Sequence, residues 1–338
     1  MKQDLTWGWA FGCVAALAIQ AALMVLVAPW FAGWVHRLAG RLVGEPRFPA
    51  GGRWQEIWHQ FRRPSLYGRQ DGLNGVFCAL ALVLAVLACG LVPVFTLTMP
   101  GFPAPGMLLV CTILVAVGVL LDLPQAVQEA SAAQQGCAAI VADALLLPVL
   151  TPVLLLTGAH DLVAFLGRLH VLSPITEGAP YVLAGVALFL ATALARRDEQ
   201  TASATLSGPD RAMWLLAADC MQMCWVTLAA DVAWAGSLAM PGESGAENWL
   251  TQCVEGLGLW MFKLLVASLM LAVLRMALLP AGRRARVRLG AIFLLGVLAW
   301  QVTSSHVAAP PAEPENHNVE DENTQGYSTE PVPEGEPS

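Results

Sequence analysis

The residues best placed to do chemistry are charges set among apolar neighbours. Asp143, Asp219, Asp231 and Lys263 fall inside long hydrophobic stretches, with Asp122, Glu129, Glu255 and Arg275 near their boundaries. A charge in a hydrocarbon layer is costly unless it is paired, hydrated or neutralised, so each one asks for a reason. One reading is a lateral chain of proton-exchanging carboxylates, Asp122, Asp143, Asp219 and Asp231, with Lys263 as a further candidate on the path. The other is structural: a few ion pairs, for example one aspartate with Lys263, plus residues that snorkel to the interface. The small number of acids favours the structural reading.

No water-soluble catalytic constellation accompanies these charges. The chain has no phosphate-cradling glycine loop, no paired Cys-x-x-Cys motif, no nucleophile elbow and no HExxH. His36, His59, His160, His170, His306 and His317 are scattered, mostly at loops. The eight cysteines lie mostly in apolar segments, where cysteine acts as a small hydrophobe. Cys220 and Cys224 share a helix face, but two thiols make half a metal site, and packing is the expected role. No cofactor is expected on this chain, and any catalytic centre belongs to another one.

The elements that must position these residues follow from composition. At 57% hydrophobic, 13% charged and a mean hydropathy of +0.60, the 338-residue chain is too apolar to hide its surface in one water-soluble core. A membrane-spanning helix needs roughly 20 mostly apolar residues, because no water satisfies backbone groups in the bilayer core. Eight stretches qualify, near 11–30, 76–96, 107–123, 138–156, 181–195, 213–238, 257–279 and 289–302. The expected fold is therefore an all-α integral membrane protein of about eight transmembrane helices. The first stretch is too long for a signal-peptide core and runs into Pro29, Trp30 and Phe31 rather than a small-residue cleavage site, so it is expected to be retained. Residues 1–305 form the membrane domain. Residues 306–338 read as a disordered acidic tail, which holds eight of the chain's 25 acids and leaves 17 against 18 basic residues in the body.

Basic loops are retained on the cytoplasmic side, which sets the orientation. The first connecting loop, about 31–75, carries seven arginines: Arg37, Arg41, Arg47, Arg53, Arg62, Arg63 and Arg69. The loops after the fifth and seventh spans carry three and four, and those after the second, fourth and sixth together carry only Arg168. Both termini are thus expected on the periplasmic face of a bacterial inner membrane. Within the first loop, Trp54, Ile57, Trp58 and Phe61 fall at i, i+3, i+4 and i+7, the stripe of an amphipathic helix, with Arg53, Glu56, His59, Arg62 and Arg63 at the other positions. Such a helix lies in the lipid headgroup layer, forms a docking platform for a soluble subunit, or does both.

Several local patterns resemble one family. The run Ala28-Pro29-Trp30-Phe31-Ala32-Gly33-Trp34-Val35-His36-Arg37, continuing to Gly44, is similar to the end of helix one and the start of the first cytoplasmic loop in the membrane subunit shared by complex I (its subunit 1, or H) and membrane-bound hydrogenases, including subunit 4 of formate hydrogenlyase. The 54–64 helix, the Leu91-Val92-Pro93-Val94-Phe95 ending and the Leu206-Ser207-Gly208-Pro209 turn resemble the family's in the same order, and Lys263 and Arg275 fall where its penultimate helix often carries basic residues. The resemblance implies a non-catalytic membrane anchor of an oxidoreductase complex. Its partners would be soluble hydrogenase-like and iron–sulfur subunits carrying the iron–sulfur and nickel–iron centres, with antiporter-like membrane subunits alongside and no nucleic acid. The module-facing residues would be Arg37, Arg41, Gly44, Pro46 and Arg47, joined by Trp54, Trp58, Arg62 and Arg63 of the loop helix. Asp122 would match the aspartate after helix three, and Asp143 would stand for the glutamate of helix four. Departures are plain too: Gln134-Gln135 replaces a serine-arginine-glutamate turn, and the acidic loop before Asp210 is shortened. The alternatives are a stand-alone transporter of a small solute and a purely structural scaffold.

Overall fold

The structure, a computed structural model, describes residues 7–44, 49, 51–64, 71–96, 106–126, 141, 162–171, 179–193, 206–239, 245–277 and 281–308. Among them the chain is helical: α1 (Trp7–Val43), α2 (Gly52–Phe61), α3 (Asp71–Leu91), α4 (Met107–Ala126), α5 (Leu162–Val171), α6 (Ala179–Ala193), α7 (Gly208–Ala233), α8 (Gly245–Ala277) and α9 (Ala281–Ala308). No strand is present among the described residues beyond one isolated bridge between Thr96 and Ala239. Five stretches are long and apolar enough to cross a membrane: Leu17–Val43, Leu73–Leu91, Met107–Pro124, Gly208–Ala233 and Thr251–Ala277. Pro180–Thr192 is a shorter apolar helix. The stretch near 138–156 lies outside the described residues apart from Val141.

Several boundaries differ from the sequence expectation: α8 begins at Gly245 rather than near 257, α9 spans Ala281–Ala308 rather than 289–302, and the largest change is in α1. The first helix does not stop near Trp30 but runs on to Val43, through Pro29. Proline removes one N–H, and the packing of Ala28, Phe31, Ala32 and Val35, all buried, holds the helix together around it. Arg37 and Arg41 are therefore helical residues and not loop residues. The helix ends at Gly44, whose φ of 81° is the left-handed conformation that glycine adopts without a Cβ penalty.

Helix α7 is the centre of the bundle, packing against α1, α2, α3, α4, α6 and α8. Its start follows from Ser207-Gly208-Pro209, with Ser207 extended and Pro209 in the first turn, where its missing N–H is not needed. Two buried tryptophans tie it to its neighbours without leaving a polar atom unsatisfied. Trp214 Nε1 donates to the Leu121 carbonyl of α4 at 2.9 Å, and Trp260 Nε1 of α8 donates to Thr227 Oγ1 at 3.2 Å. Helices α3 and α7 run side by side in the same direction. The Gly75 backbone meets Asp210, and 14 residues further along each helix Cys89 meets Cys224. Helix α1 closes the far end of α3: the buried Gln20 side chain donates to the carbonyls of Gly90 at 3.0 Å and Val92 at 2.6 Å, acceptors that a helix C-terminus leaves open. Small residues set the closest approach, at α6 and α7, where a Cβ on Gly185 would stand 2.6 Å from that of Ala233.

Candidate functional site

The loop helix α2 does not rest on the rim of the bundle. Arg53 Cβ lies against Gly33, and Trp54 Nε1 donates to the Leu26 carbonyl at 3.1 Å, both within the apolar span of α1. Arg53 is 3% exposed and Asp219, midway along α7, is 4% exposed. They form a two-point pair, with Nε donating to Oδ2 at 2.9 Å and Nη2 to Oδ1 at 3.0 Å. Such a fork uses both carboxylate oxygens and fixes orientation as well as distance. A second, wetter link lies beside it: Glu56 Oε2 accepts from Arg53 Nη1 at 3.4 Å, and its Oε1 accepts from Arg211 Nη2 at 3.1 Å.

The face that α2 turns to the bundle is only in part the Trp54, Ile57, Trp58 and Phe61 stripe. The buried side is Arg53, Ile57 and Gln60, while Trp58 is 58% exposed and Phe61 39% exposed. The reason is electrostatic: Asp219 needs a cation at that depth, and the helix rolls to supply Arg53 rather than to hide its aromatic residues. The outer edge of α2 carries Trp58, His59, Phe61, Arg62 and Arg63, with Arg62 stacked 5.1 Å from the Trp58 ring centroid. On α1 the Trp30 and Trp34 rings stack 5.6 Å apart, and Arg37 and Arg41 follow toward the same end. Of the residues expected to dock a partner, Arg41, Gly44, Trp58, Arg62 and Arg63 are exposed, while Arg37 and Trp54 are half-buried. Pro46 and Arg47 lie outside the described residues.

The second buried pair joins α7 to α8. Lys263 Nζ donates to Asp231 Oδ1 at 2.8 Å and to the Trp234 carbonyl at 2.6 Å, 5.5 Å from the Trp234 ring centroid. It is the expected pairing of one aspartate with Lys263, and the ammonium also sits at the negative end of the α7 dipole. Asp231 Oδ2 is buried with no hydrogen-bond partner among the described residues. Asp219 and Asp231 are separated by twelve residues of α7, about 18 Å by helical rise, and each faces its own cation, so the structure does not bring them together. Asp122 is buried at the end of α4, and Asp143 lies outside the described residues.

Sequence reasoning grouped Arg53 with the polar positions and missed its role. One signal was available: the in-span cations Lys263 and Arg275 both lie on one helix, so a second mid-span aspartate out of their reach needs a cation from outside the spans, and the first loop is the arginine-rich one. The cysteine pair on α7 also gains a neighbour, since Cys89 of α3 lies 3.6 Å from Cys224, sulfur to sulfur. Among the described residues no group of three or more His, Cys, Asp or Glu has the arrangement to hold a metal ion.

No family model matches the chain, and no curated protein matches it.

Proposed function

We propose that this chain is a membrane-anchor subunit of a hydrogenase-like multisubunit complex related to formate hydrogenlyase and complex I, and that it docks the soluble electron-transfer module through the outer edge of α2 and the end of α1. The observation that carries the reading is the buried Arg53–Asp219 fork. It holds a short, externally connected helix rigidly in the bundle, and that helix offers aromatic and basic side chains outward. Tryptophan and arginine are the side chains most enriched at interface hot spots, and a rigid platform spends little ordering entropy on binding. The apolar spans support a membrane-embedded platform, and on this reading the membrane is a bacterial inner membrane with the basic end on the cytoplasmic side, where positive charge is retained.

A proton role is part of the same proposal and falls on Asp231, the described aspartate with a free carboxylate oxygen, with Asp122 and Asp143 completing the path. Asp219, whose oxygens are both engaged by Arg53, positions α2. Affinity purification of the tagged chain in mild detergent, with co-eluting proteins identified by mass spectrometry, tests the anchor reading. Hydrogenase-like and iron–sulfur subunits are expected. A chain that purifies alone and moves a small solute across liposomes by itself is a transporter instead.

A further inference from the structure

One ridge of α1 carries an ordered change of chemistry. Ile19, Leu26, Trp30, Trp34, Arg37 and Arg41 follow at spacings of seven, four, four, three and four residues, so they share a face of the helix. Ile19, Leu26, Trp30 and Arg41 are exposed, and Trp34 and Arg37 are half-buried. Along the ridge come aliphatic side chains, then two stacked indole rings, then two cations. Helix α2 walls one side of it, with Arg53 against Gly33 and Trp54 donating to the Leu26 carbonyl. We propose that this ridge binds one anionic phospholipid, with an acyl chain along Ile19 and Leu26, the glycerol region at the tryptophans and the phosphate between Arg37 and Arg41.

The length of the ridge fits one leaflet. Leu26 and Arg37 are eleven residues apart, about 16 Å by helical rise, close to half of a hydrocarbon core of roughly 30 Å. The tryptophans then fall at headgroup depth, where their amphipathic rings are favoured, with the arginines just beyond. The charge follows from which cations are already spent. Arg53 is held by Asp219, Arg211 by Glu56 and Lys263 by Asp231. Arg37 and Arg41 form no ion pair among the described residues, and the covered Arg37 Nε has no acceptor among them, so the outer guanidinium nitrogens are left to meet an anion. Two like charges at i and i+4 repel, and a phosphate between them accepts from both. A choline headgroup would bring a third cation to the same place, so the net-anionic headgroup is the better fit. A soluble protein would meet the arginines but leave Ile19 and Leu26 uncovered, since both lie within the apolar span Leu17–Val43. Basic positions beside a span are a recurrent way of holding acidic lipid headgroups. The site borders the docking edge of α2 without using its outer residues, and it is tested on the chain without partners, so it does not depend on the anchor reading.

The experiment uses the full chain purified alone in mild detergent, offered equal amounts of dioleoyl phosphatidylglycerol and dioleoyl phosphatidylcholine, with retained lipid read by native mass spectrometry. The glycerol lipid is expected to be retained over the choline lipid by roughly tenfold or more, and Arg37→Gln or Arg41→Gln each to cut that preference by roughly fivefold. Arg41 is exposed, so its variant keeps the comparison available if Arg37→Gln does not accumulate. Arg286→Gln, at an exposed arginine of α9, should leave the preference within about twofold. A phosphatidylglycerol with a diazirine in its acyl chain should label the segment 19–34. Glycerol 3-phosphate, which has the phosphate and no chains, should not displace the lipid. Equal retention of the two lipids, a preference untouched by both α1 variants, or an equal loss in Arg286→Gln overturns the proposal, the last by showing a diffuse positive field. Displacement by glycerol 3-phosphate also overturns it, in favour of a free phosphate site. A chain that runs as a lipid-free dimer overturns it as well and gives the ridge to a second copy.

Discussion

Arg53 and Asp219, 166 positions apart in the chain, meet through two hydrogen bonds of 2.9 and 3.0 Å in the middle of the bundle. A connecting helix is thereby locked to the central span by a charge pair at which both partners are almost fully withdrawn from solvent. Removing one partner strands the other charge, whereas removing both leaves a neutral gap.

Arg53→Met or Asp219→Leu alone is expected to lower stability by about 3–5 kcal/mol, and the double substitution to recover most of that loss. Unfolding of the purified chain in mild detergent, followed by circular dichroism, gives the cycle. Additive losses in the double variant would mean that the two residues do not act as a pair.

Glu56 makes the contrast. Its links to Arg53 and Arg211 are partly solvated, so Glu56→Gln is expected to change stability by at most about 1 kcal/mol. The same unfolding measurement checks it, and a loss as large as that of Arg53→Met would place the main tether at Glu56.

Glycines in the bundle divide by what a Cβ would meet. Gly185→Ala drives a methyl to 2.6 Å from Ala233 Cβ and 2.7 Å from the Ala229 carbonyl oxygen, and should destabilise by about 1–3 kcal/mol as α6 is pushed off α7. Gly258 and Gly290 meet nothing within 4 Å, so Gly258→Ala and Gly290→Ala should be neutral or gain about 0.5–1 kcal/mol from helix propensity. Thermal denaturation of the three variants in one detergent decides the ranking.

Asp231 and Asp219 should separate in the assembled complex. Asp231→Asn strands the buried Lys263 ammonium and is expected to cost about 3–5 kcal/mol of stability. In the complex that is recovered it should slow proton movement measured with a pH dye in liposomes, because the residue with the free oxygen is lost. Asp219→Asn is expected to reduce recovery of the complex itself, since α2 loses its anchor. Unchanged proton movement in Asp231→Asn would assign the Lys263 pair a structural role only.

Much of this was legible in the residues. Apolar runs of span length announce the helices, and Ser207-Gly208-Pro209 announces the start of α7, because both are local properties of the chain. The pairing of Lys263 with an aspartate was legible as a need, since a lone ammonium among apolar residues requires a partner, although the choice of Asp231 depends on where α7 ends. The roll of α2 was not. The aromatic stripe does not say what the opposite face packs on, and it takes the distant Asp219 carboxylate to turn Arg53 inward while Trp58 and Phe61 face outward. The extension of α1 past Pro29 was hidden for a similar reason, because a proline reads as a stop until tertiary contacts sustain the helix beyond it. The family resemblance rests on short runs in order.

The most direct measurement is a mild-detergent pulldown comparing the wild-type chain with a variant carrying Arg41→Glu, Arg62→Glu and Arg63→Glu, three exposed positions outside the buried network. Recovery of hydrogenase-like and iron–sulfur subunits with the wild type, and their loss with a triple variant that still folds, is the result the docking account predicts. Equal recovery of those subunits by both chains, or of none by either, would contradict it.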